Sequence, residues 1–346
     1  MKFKAAILVQ QGKELVIDEV TCPESLAYGQ VLVKIHYSGI CGSQLGEIDG
    51  VKGPDKFLPH LLGHEGSGEV IEVGPEVTRV KVGDKVVLHW RKASGIEAPL
   101  PKYNWNGKVV NSGWVTTFSE YSVVSENRLT PIPDDFDMKL AALYGCAVTT
   151  GFGVVTNDAK LTLGQSIIIF GAGGVGLNMI QAASMSSAYP IIAIDLFDTR
   201  LDLAKELGAD FVINSTKTDV QEELQKILPQ GADVTVDNTG KPTIIELCYE
   251  LTKNSGTTVL VGVPKKGDKA QVYTLPLHFG KNLKGSCGGG CEPESDIPKF
   301  IQLFKAGKYS LEPLITNEYR LDDINQAMAD MRSGKVAGRC LIDMDM

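Results

Sequence analysis

The stretch Ser166-Ile-Ile-Ile-Phe-Gly-Ala-Gly-Gly-Val-Gly176 decides the fold of the chain around it. Its first half is a short, wholly apolar run, which is typical of a strand buried on both faces of a parallel sheet. Its second half has glycines at 171, 173 and 176, the spacing of a dinucleotide-binding turn between a strand and a helix. In such a turn the glycines allow the tight bend, the close approach of a pyrophosphate and the packing of helix on strand.

Beyond this turn, strand patterns alternate with helical patterns. The strand patterns lie at 190–195, 211–213, 233–237 and 257–263. The helical patterns begin at Gly174, Arg200, Val220 and Pro242. Strands that alternate with helices predict a doubly wound parallel sheet, an α/β fold.

Asp195 ends the strand that follows the turn, nineteen residues beyond Gly176. An acidic residue at this place accepts hydrogen bonds from the ribose hydroxyls of a bound dinucleotide. A 2′-phosphate would meet this carboxylate and be repelled, so the sequence predicts NAD rather than NADP. Arg200 starts the next helix, where it can lie along the adenosine or face solvent.

The chain before Cys146 has a different sequence pattern. Strand patterns at 14–20, 30–37, 68–74 and 85–89 lie between glycines and prolines. They predict an antiparallel, β-rich domain. Segment 91–115 is polar and reads as a long irregular loop. The tail looks helical around 296–306 and 321–333 and ends in a strand at 338–343, so it can return to the first domain.

Three soft or borderline metal ligands precede the glycine turn: Cys41, His64 and Cys146. Two thiolates and one imidazole suit zinc, and three protein ligands leave the open position of a catalytic site. Glu65 follows His64, and its carboxylate can lie beside the ligands or exchange onto the metal. Ser43 follows Cys41 by two residues and can reach a bound alcohol. A Lewis acid next to a nicotinamide indicates hydride transfer between an alcohol and a carbonyl.

The bulk composition excludes several classes of protein. A length of 346 residues predicts two domains, and a net charge of -8 argues against nucleic acid as a partner. No apolar run reaches the ~20 residues of a membrane helix, and the N-terminal apolar stretch is too short for a signal peptide. Seven cysteines without a dense framework favour a reducing compartment, the cytoplasm.

With these motifs in place, the chain resembles the zinc-dependent medium-chain dehydrogenase/reductase family, which includes alcohol and polyol dehydrogenases. The resemblance covers nearly the whole length. The motifs are Gly39-Ile-Cys-Gly-Ser43, Gly63-His-Glu-Gly-Ser-Gly-Glu-Val70, Val82-Gly-Asp-Lys-Val86, Gly145-Cys-Ala-Val-Thr-Thr-Gly151, Gly171-Ala-Gly-Gly-Val-Gly176 and Ser333-Gly-Lys-Val-Ala-Gly-Arg339. The resemblance implies a GroES-like catalytic domain formed by 1–147 and 288–346, with a Rossmann NAD-binding domain at 148–287 between them.

The resemblance also implies roles for single residues. Thr150 would lie by the nicotinamide and Arg339 would reach the pyrophosphate. The full set of expected cofactor contacts is Thr150, Gly171, Gly173, Gly174, Val175, Gly176, Asp195, Arg200, Val261 and Arg339. The Rossmann sheets would pair across a dimer near Gln271–Leu283, which gives a homodimer or homotetramer.

His89, Trp90 and Arg91 would begin the substrate pocket, where relatives that act on plain alcohols have apolar residues. These side chains favour a polar substrate: a polyol, a sugar or a sugar-derived alcohol. Anionic substrates belong to this range. The alternative is that Arg91 faces solvent or pairs with Glu97.

The chain departs from the family pattern at two functional places. Segment 88–118 lacks the four cysteines that hold a structural zinc in many relatives, so one zinc per subunit is expected. Loop 91–115 must then be held by packing, for which Tyr103, Trp105 and Trp114 are candidates. The place of the relay histidine is taken by Gly46. The relay then ends at Ser43, the cofactor ribose and solvent, or uses another base.

Other functions stay open at this point. A zinc and NAD enzyme that recycles its NAD within one turnover, an epimerase or redox lyase, would retain cofactor and release no NADH. A zinc-free quinone or enone reductase of the same fold is opposed by Cys41, His64 and Cys146. A non-catalytic binding protein is opposed by the same open metal site.

Overall fold

The computed structural model describes residues 1–346, which form two compact units. The first unit contains 1–146, 292–303 and 315–346, and the second contains 147–291 and 304–314. Segment 304–314 falls with the second unit, although the expected limits put it in the first domain. Its side chains explain this, because the Tyr309 ring packs 4.8 Å from the Phe152 ring.

Eighteen strands and nine helices follow one another along the chain. The strands up to Pro131 are β1 (Lys2–Leu8), β2 (Val16–Thr21), β3 (Gln30–Ile40), β4 (His60–Leu61), β5 (Glu65–Val73), β6 (Lys85–His89), β7 (Lys102–Trp105), β8 (Lys108–Asn111), β9 (Tyr121–Ser125) and β10 (Leu129–Pro131). The later strands are β11 (Ile167–Phe170), β12 (Ile191–Asp195), β13 (Phe211–Asn214), β14 (Ala232–Asp237), β15 (Thr252–Leu260), β16 (Asn282–Gly285), β17 (Ile315–Arg320) and β18 (Arg339–Asp343). The helices are α1 (Gly42–Ile48), α2 (Met138–Ala141), α3 (Ala147–Gly153), α4 (Gly174–Met185), α5 (Asp198–Glu206), α6 (Val220–Ile227), α7 (Pro242–Leu251), α8 (Pro293–Lys305) and α9 (Ile324–Arg332).

The first unit is β-rich and mostly antiparallel, as predicted. Strands β1, β2, β7, β8 and β4 close into a barrel, and a second sheet runs in the order β10-β6-β5-β3-β18-β17 with β9 also on β3. The register pairs Ser38 with Gly66 and Ile40 with Cys340. The end of β3 and the beginnings of β5 and β18 therefore meet at one edge, which fixes the residues directly beyond them.

The second unit contains the predicted parallel sheet. Its six strands run in the order β13-β12-β11-β14-β15-β16, and every pairing is parallel. All four residues of β11 are buried, which explains the unbroken apolar run at 167–170. The chain leaves β11 for β12 on one side and returns to β14 on the other. The carboxyl ends of β11 and β12, where ligands bind in such sheets, lead into Gly171 and end in Asp195.

Segment 91–115 was expected to be irregular throughout, and this expectation was wrong for 102–111. Strands β7 and β8 form a hairpin whose turn, Asn106-Gly107, has positive φ at both residues. Asn-Gly is the usual sequence of such a two-residue turn, and this signal could have revealed the hairpin. The Tyr103 hydroxyl accepts a hydrogen bond from the Val123 N–H at 2.9 Å, and the Trp105 indole donates to Asp18 at 2.7 Å.

No single helix of the chain is long and apolar enough to cross a membrane; one bent pair of helices, 138–145 with 147–158, is so by length and composition alone.

Candidate active site

Four possible metal-ligand groups converge in the first unit. The ligand atoms of Cys41, His64, Glu65 and Cys146 all lie within 4.8 Å of one another. Cys41 follows β3, and His64 and Glu65 stand at the beginning of the neighbouring β5, so strand pairing brings these three together. The fourth group, Cys146, reaches the cluster because the residue before it is Gly145. A Cβ at position 145 would lie 2.7 Å from the Cα of Glu65. Only glycine allows this close approach of the Cys146 backbone.

The chemistry of this cluster fits a zinc ion. The Nε2 atom of His64 is buried and has no hydrogen-bond partner, which is costly unless a ligand meets it. A hydrogen bond from Cys146, together with the nearby His64 imidazole, holds the pKa of the Cys41 thiol well below its usual range, so this sulfur is poised as a thiolate. The thiolate is the form that binds metal, and two sulfurs with an imidazole are a usual zinc set.

Glu65 has a second partner besides the cluster. Its carboxylate forms an ion pair with Arg339, and both side chains are buried. Gly39 leaves room for this pair, since a Cβ there would lie 3.0 Å from the Arg339 guanidinium. Arg339 begins β18, next to β3 in the sheet. The described contact of Arg339 is thus with Glu65, and its expected contact with a pyrophosphate stays a prediction.

Ser43 lies in the first turn of α1, two residues beyond Cys41. Its hydroxyl is buried and has no hydrogen-bond partner. A buried hydroxyl without a partner suits a group that is completed by a bound substrate.

A cavity of about 160 Å³ in the first unit adjoins His64. Trp90 lines it, as expected for a pocket residue, but His89 and Arg91 are not among the lining residues. The His89 ring nitrogens lie 2.6 Å from the Arg91 carbonyl and 2.9 Å from the Thr130 hydroxyl. Burial lowers the pKa of His89 to about 4, so this imidazole is neutral at neutral pH.

Arg91 and Glu97 do not form the ion pair that was considered from the sequence. Glu97 pairs with Arg128 at 2.6 Å, while the Arg91 guanidinium lies 5.9 Å from the centre of the Trp90 ring.

The glycine turn in the second unit has the geometry that its spacing predicts. Gly171 has a φ of 97°, a conformation that side chains rarely adopt. A Cβ at Gly176 would overlap the carbonyl oxygen of Gly171, whereas a Cβ at Gly173 would meet no atom within 4 Å. The space beside Gly173, at the beginning of α4, is where a pyrophosphate is expected.

The other expected cofactor residues also belong to the second unit, apart from Arg339. Asp195 is buried and accepts hydrogen bonds from the N–H groups of Ala172 at 2.8 Å and Leu196 at 2.7 Å. The Arg200 guanidinium lies 3.7 Å from the Asp195 carboxylate. Gly174 and Val175 open α4, Thr150 is buried on α3, and Val261 follows β15.

Comparisons with known proteins agree along the chain. The family model of the alcohol dehydrogenase GroES-like domain matches 27–134, and that of the zinc-binding dehydrogenases matches 174–306. An S-(hydroxymethyl)glutathione dehydrogenase of Synechocystis sp. is 32% identical over 97% of this chain and 98% of its own length. The chain belongs to the zinc-dependent medium-chain dehydrogenase/reductase family.

Solved structures of this family superpose closely on the chain. An alcohol dehydrogenase zinc-binding domain protein from Burkholderia ambifaria has a TM-score of 0.90 at 29% identity, with 99% of each chain covered. Benzyl alcohol dehydrogenase from Acinetobacter calcoaceticus has a TM-score of 0.89 at 30% identity, again with 99% of each chain covered. The GroES-like and Rossmann assignments are thereby confirmed, and this dehydrogenase is an alcohol oxidoreductase.

Reasoning from the sequence missed three polar residues of the dehydrogenase's cavity: Gln44, Glu47 and His60. Gln44 and Glu47 are three residues apart on α1 and therefore share a face of the helix. The positions of Cys41 and Ser43 at the beginning of α1 could have pointed to this face. At Gly46, in contrast, a Cβ would only make an ordinary contact with Val51 at 3.5 Å, so the backbone leaves space for a side chain there.

Proposed function

We propose that this dehydrogenase transfers a hydride between NAD and an alcohol/carbonyl pair with one catalytic zinc per subunit, and that its substrate is polar: a polyol, a sugar or a sugar-derived alcohol. The convergence of the ligand atoms of Cys41, His64, Glu65 and Cys146 within 4.8 Å is the observation that supports it. When bound there, zinc supplies a Lewis acid that polarises the alcohol oxygen and lowers its pKa.

Residues of the chain bind the metal and transfer the proton. Cys41, His64 and Cys146 hold the metal, and Glu65 stands beside them. The unpartnered hydroxyl of Ser43 accepts the proton of the alcohol and passes it towards solvent. With glycine at position 46, no histidine continues this path on α1.

The glycine turn and Asp195 bind the dinucleotide in this proposal. The free space at Gly173 admits the pyrophosphate to the N-terminus of α4, and the Asp195 carboxylate disfavours a 2′-phosphate. A nicotinamide held there would supply the hydride acceptor. Arg200, next to Asp195, lies along the adenosine.

We further propose a homodimer, or a homotetramer of such dimers, in the cytoplasm. Strand β16 is an edge of the parallel sheet, and an unpaired edge readily accepts a second strand. Exposed apolar side chains lie near it in sequence, among them Tyr273 and Phe279, which are 69% and 75% exposed. Both fall within the expected pairing stretch Gln271–Leu283.

The test is the metal content per subunit of the purified protein and of its Cys146→Ser variant, together with NADH formation from polyols and sugars. The expected result is close to one zinc, lost in the variant, and NADH release with NAD. Two zincs would show a second metal site. Zinc with tightly retained NAD and no NADH release would favour an epimerase or redox lyase. No zinc would favour a zinc-free reductase or a non-catalytic relative.

A further inference from the structure

The proton path that begins at Ser43 needs a second member. The Ser43 hydroxyl is buried and has no hydrogen-bond partner. A protonated hydroxyl is a strong acid, so this group can pass a proton on but cannot keep an additional one. A base must therefore take the proton and deliver it to solvent. Gly46, the next residue but two on α1, has no side chain that could do this.

Most titratable side chains around the cavity beside His64 are already engaged. His64 itself belongs to the metal-ligand cluster. The nitrogens of His60, which also lines the cavity, lie 2.7 Å from the Asp55 carboxylate and 2.8 Å from a backbone carbonyl. Glu65, next to His64, is buried in its ion pair with Arg339. None of these groups is left to receive a proton from Ser43.

Glu47 is the titratable residue of the cavity that remains free. It lines the cavity, and its carboxylate has neither a hydrogen bond nor an ion pair. It is half-buried, so the carboxylate can exchange protons with water. Asp49, the acidic residue directly beyond α1, is paired with Arg332 at 2.8 Å instead.

The geometry of α1 places Glu47 next to Ser43. The two residues are four positions apart, and side chains with this spacing are neighbours on one face of a helix. At about 100° per residue, Glu47 is turned only about 40° from Ser43. Helical side chains lean towards the N-terminus, so the long Glu47 side chain reaches back over the turn that holds Ser43. The Asp49 N–H bonds to the Leu45 carbonyl at 2.9 Å, which shows that the helix is regular up to this point.

We propose that Glu47 is the base that completes the proton path. As the alcohol loses its proton to the Ser43 oxygen, the Ser43 hydroxyl proton passes to a carboxylate oxygen of Glu47, and Glu47 releases it to water. The hydride goes to the cofactor in the proposed function, and this proton is the one that balances the oxidation. The inference rests on that function and deepens it by naming the base. Glu47 acts through Ser43 and does not touch the substrate.

The first test is Glu47→Gln, which keeps the shape of the side chain and removes the base. NADH formation is followed with sorbitol, xylitol and benzyl alcohol as probes. For the best of them kcat should fall about 10²-fold with little change in KM, since a positioned base contributes on the order of 10²- to 10⁴-fold. Zinc content and the affinity for NADH should not change. The control Glu72→Gln, at an exposed residue of β5, removes an equal charge and should keep its kcat.

Glu47→His exchanges one base for another and separates proton transfer from a structural role. A base must be deprotonated to accept a proton, so kcat falls as the pH drops through the range in which the base titrates. A free imidazole titrates about two pH units above a free carboxyl group, so the acidic limb of the kcat profile should move to higher pH. Above this limb kcat should exceed that of Glu47→Gln at least about tenfold. His60 and His64 are the same in both variants and cannot cause the difference.

Three results would each overturn the inference: a Glu47→Gln variant that keeps its kcat, one that loses its zinc, or a pH profile that Glu47→His leaves in place. In all three cases alcohol oxidation by the unsubstituted protein still supports the proposed function, and only the role of Glu47 fails. If the unsubstituted protein forms no NADH from any of the probes, the proposed function fails and the inference fails with it.

Discussion

The glycine turn and the metal-ligand cluster are built in opposite ways. The turn lies within 166–176 and needs only one strand, one helix and the neighbouring end of β12. The cluster takes its groups from positions 41 to 146, and the ion pair behind it reaches Arg339. A local site keeps its shape wherever its own strand and helix form, whereas an assembled site requires the register of a whole sheet. Damage to one site should therefore leave the other intact, and the following changes test this.

The largest effect is expected from Cys41→Ser, which removes one ligand of the assembled site. Zinc should be lost and kcat/KM should fall about 10³-fold, because a Lewis acid supplies several kcal/mol of stabilisation to the transition state. The affinity for NADH, measured by fluorescence titration, should not change. Cys22→Ser, at another buried cysteine of the first unit, is the control and should keep its zinc. Full zinc content in Cys41→Ser would contradict the assigned ligand set.

The second-largest effect is expected on the unfolding free energy at acidic pH. Burial lowers the pKa of His89 to about 4, against about 6.5 in an unfolded chain. Between these values the unfolded chain binds more protons than the folded one. The contribution of neutral His89 to the unfolding free energy is therefore fully present above pH ~6.5. It is lost as the pH falls towards ~4, by about 3 kcal/mol in total.

His89→Gln should abolish this loss, because an amide can still bond to the Arg91 carbonyl and to Thr130. The measurement is urea unfolding at several pH values, followed by tryptophan fluorescence. All three tryptophans belong to the first unit, so this signal reports on that unit. His278→Gln, at an exposed residue of the second unit, should leave the loss unchanged. If His89→Gln lost as much unfolding free energy in acid as the unsubstituted protein, His89 would not be the acid-sensitive group.

Two alanine substitutions separate packing from binding in the glycine turn. Gly176→Ala forces a methyl group against the Gly171 carbonyl and should cost about 2 kcal/mol of unfolding free energy. Gly173→Ala meets open space, so stability should hold while NADH binds about tenfold more weakly. Both should keep their zinc. Equal destabilisation by the two would contradict the open space beside Gly173, and an unchanged NADH affinity in Gly173→Ala would mean that this space does not bind the cofactor.

The smallest effect is expected in the hairpin of β7 and β8. Tyr103→Phe removes the acceptor of the buried Val123 N–H and should lower the unfolding free energy by about 1 kcal/mol. Thermal unfolding measures it, with Tyr28→Phe at an exposed position as the control. Zinc content should be unaffected. Loss of zinc here would show that the barrel and the ligand cluster are coupled.

The contrast also explains what the sequence could predict. The parallel sheet was predictable because its central strands contain contiguous apolar runs, at 167–170 and 191–194, and the glycine turn is itself contiguous. The ligand cluster was predictable for another reason: Cys, His and Cys are chemically distinctive wherever they stand. In neither case was knowledge of long-range pairing needed.

Features that depend on the direction of a side chain were not predictable. His89 and Trp90 are adjacent, yet one is buried against Thr130 and the other lines the cavity. Gln44 and Glu47 became pocket residues only because strand pairing sets α1 beside His64. The hairpin was missed because its strands have four residues each and alternate weakly.

The way in which the hairpin is anchored bears on how the protein responds when zinc is scarce. Its segment contains no cysteine, and its anchors are Tyr103 and Trp105, so neither a chelator nor a thiol oxidant has a target there. Metal starvation would then silence catalysis without dismantling the barrel, and resupply would restore activity from the existing pool of protein. Under the proposed function, zinc would therefore serve catalysis rather than hold the barrel together.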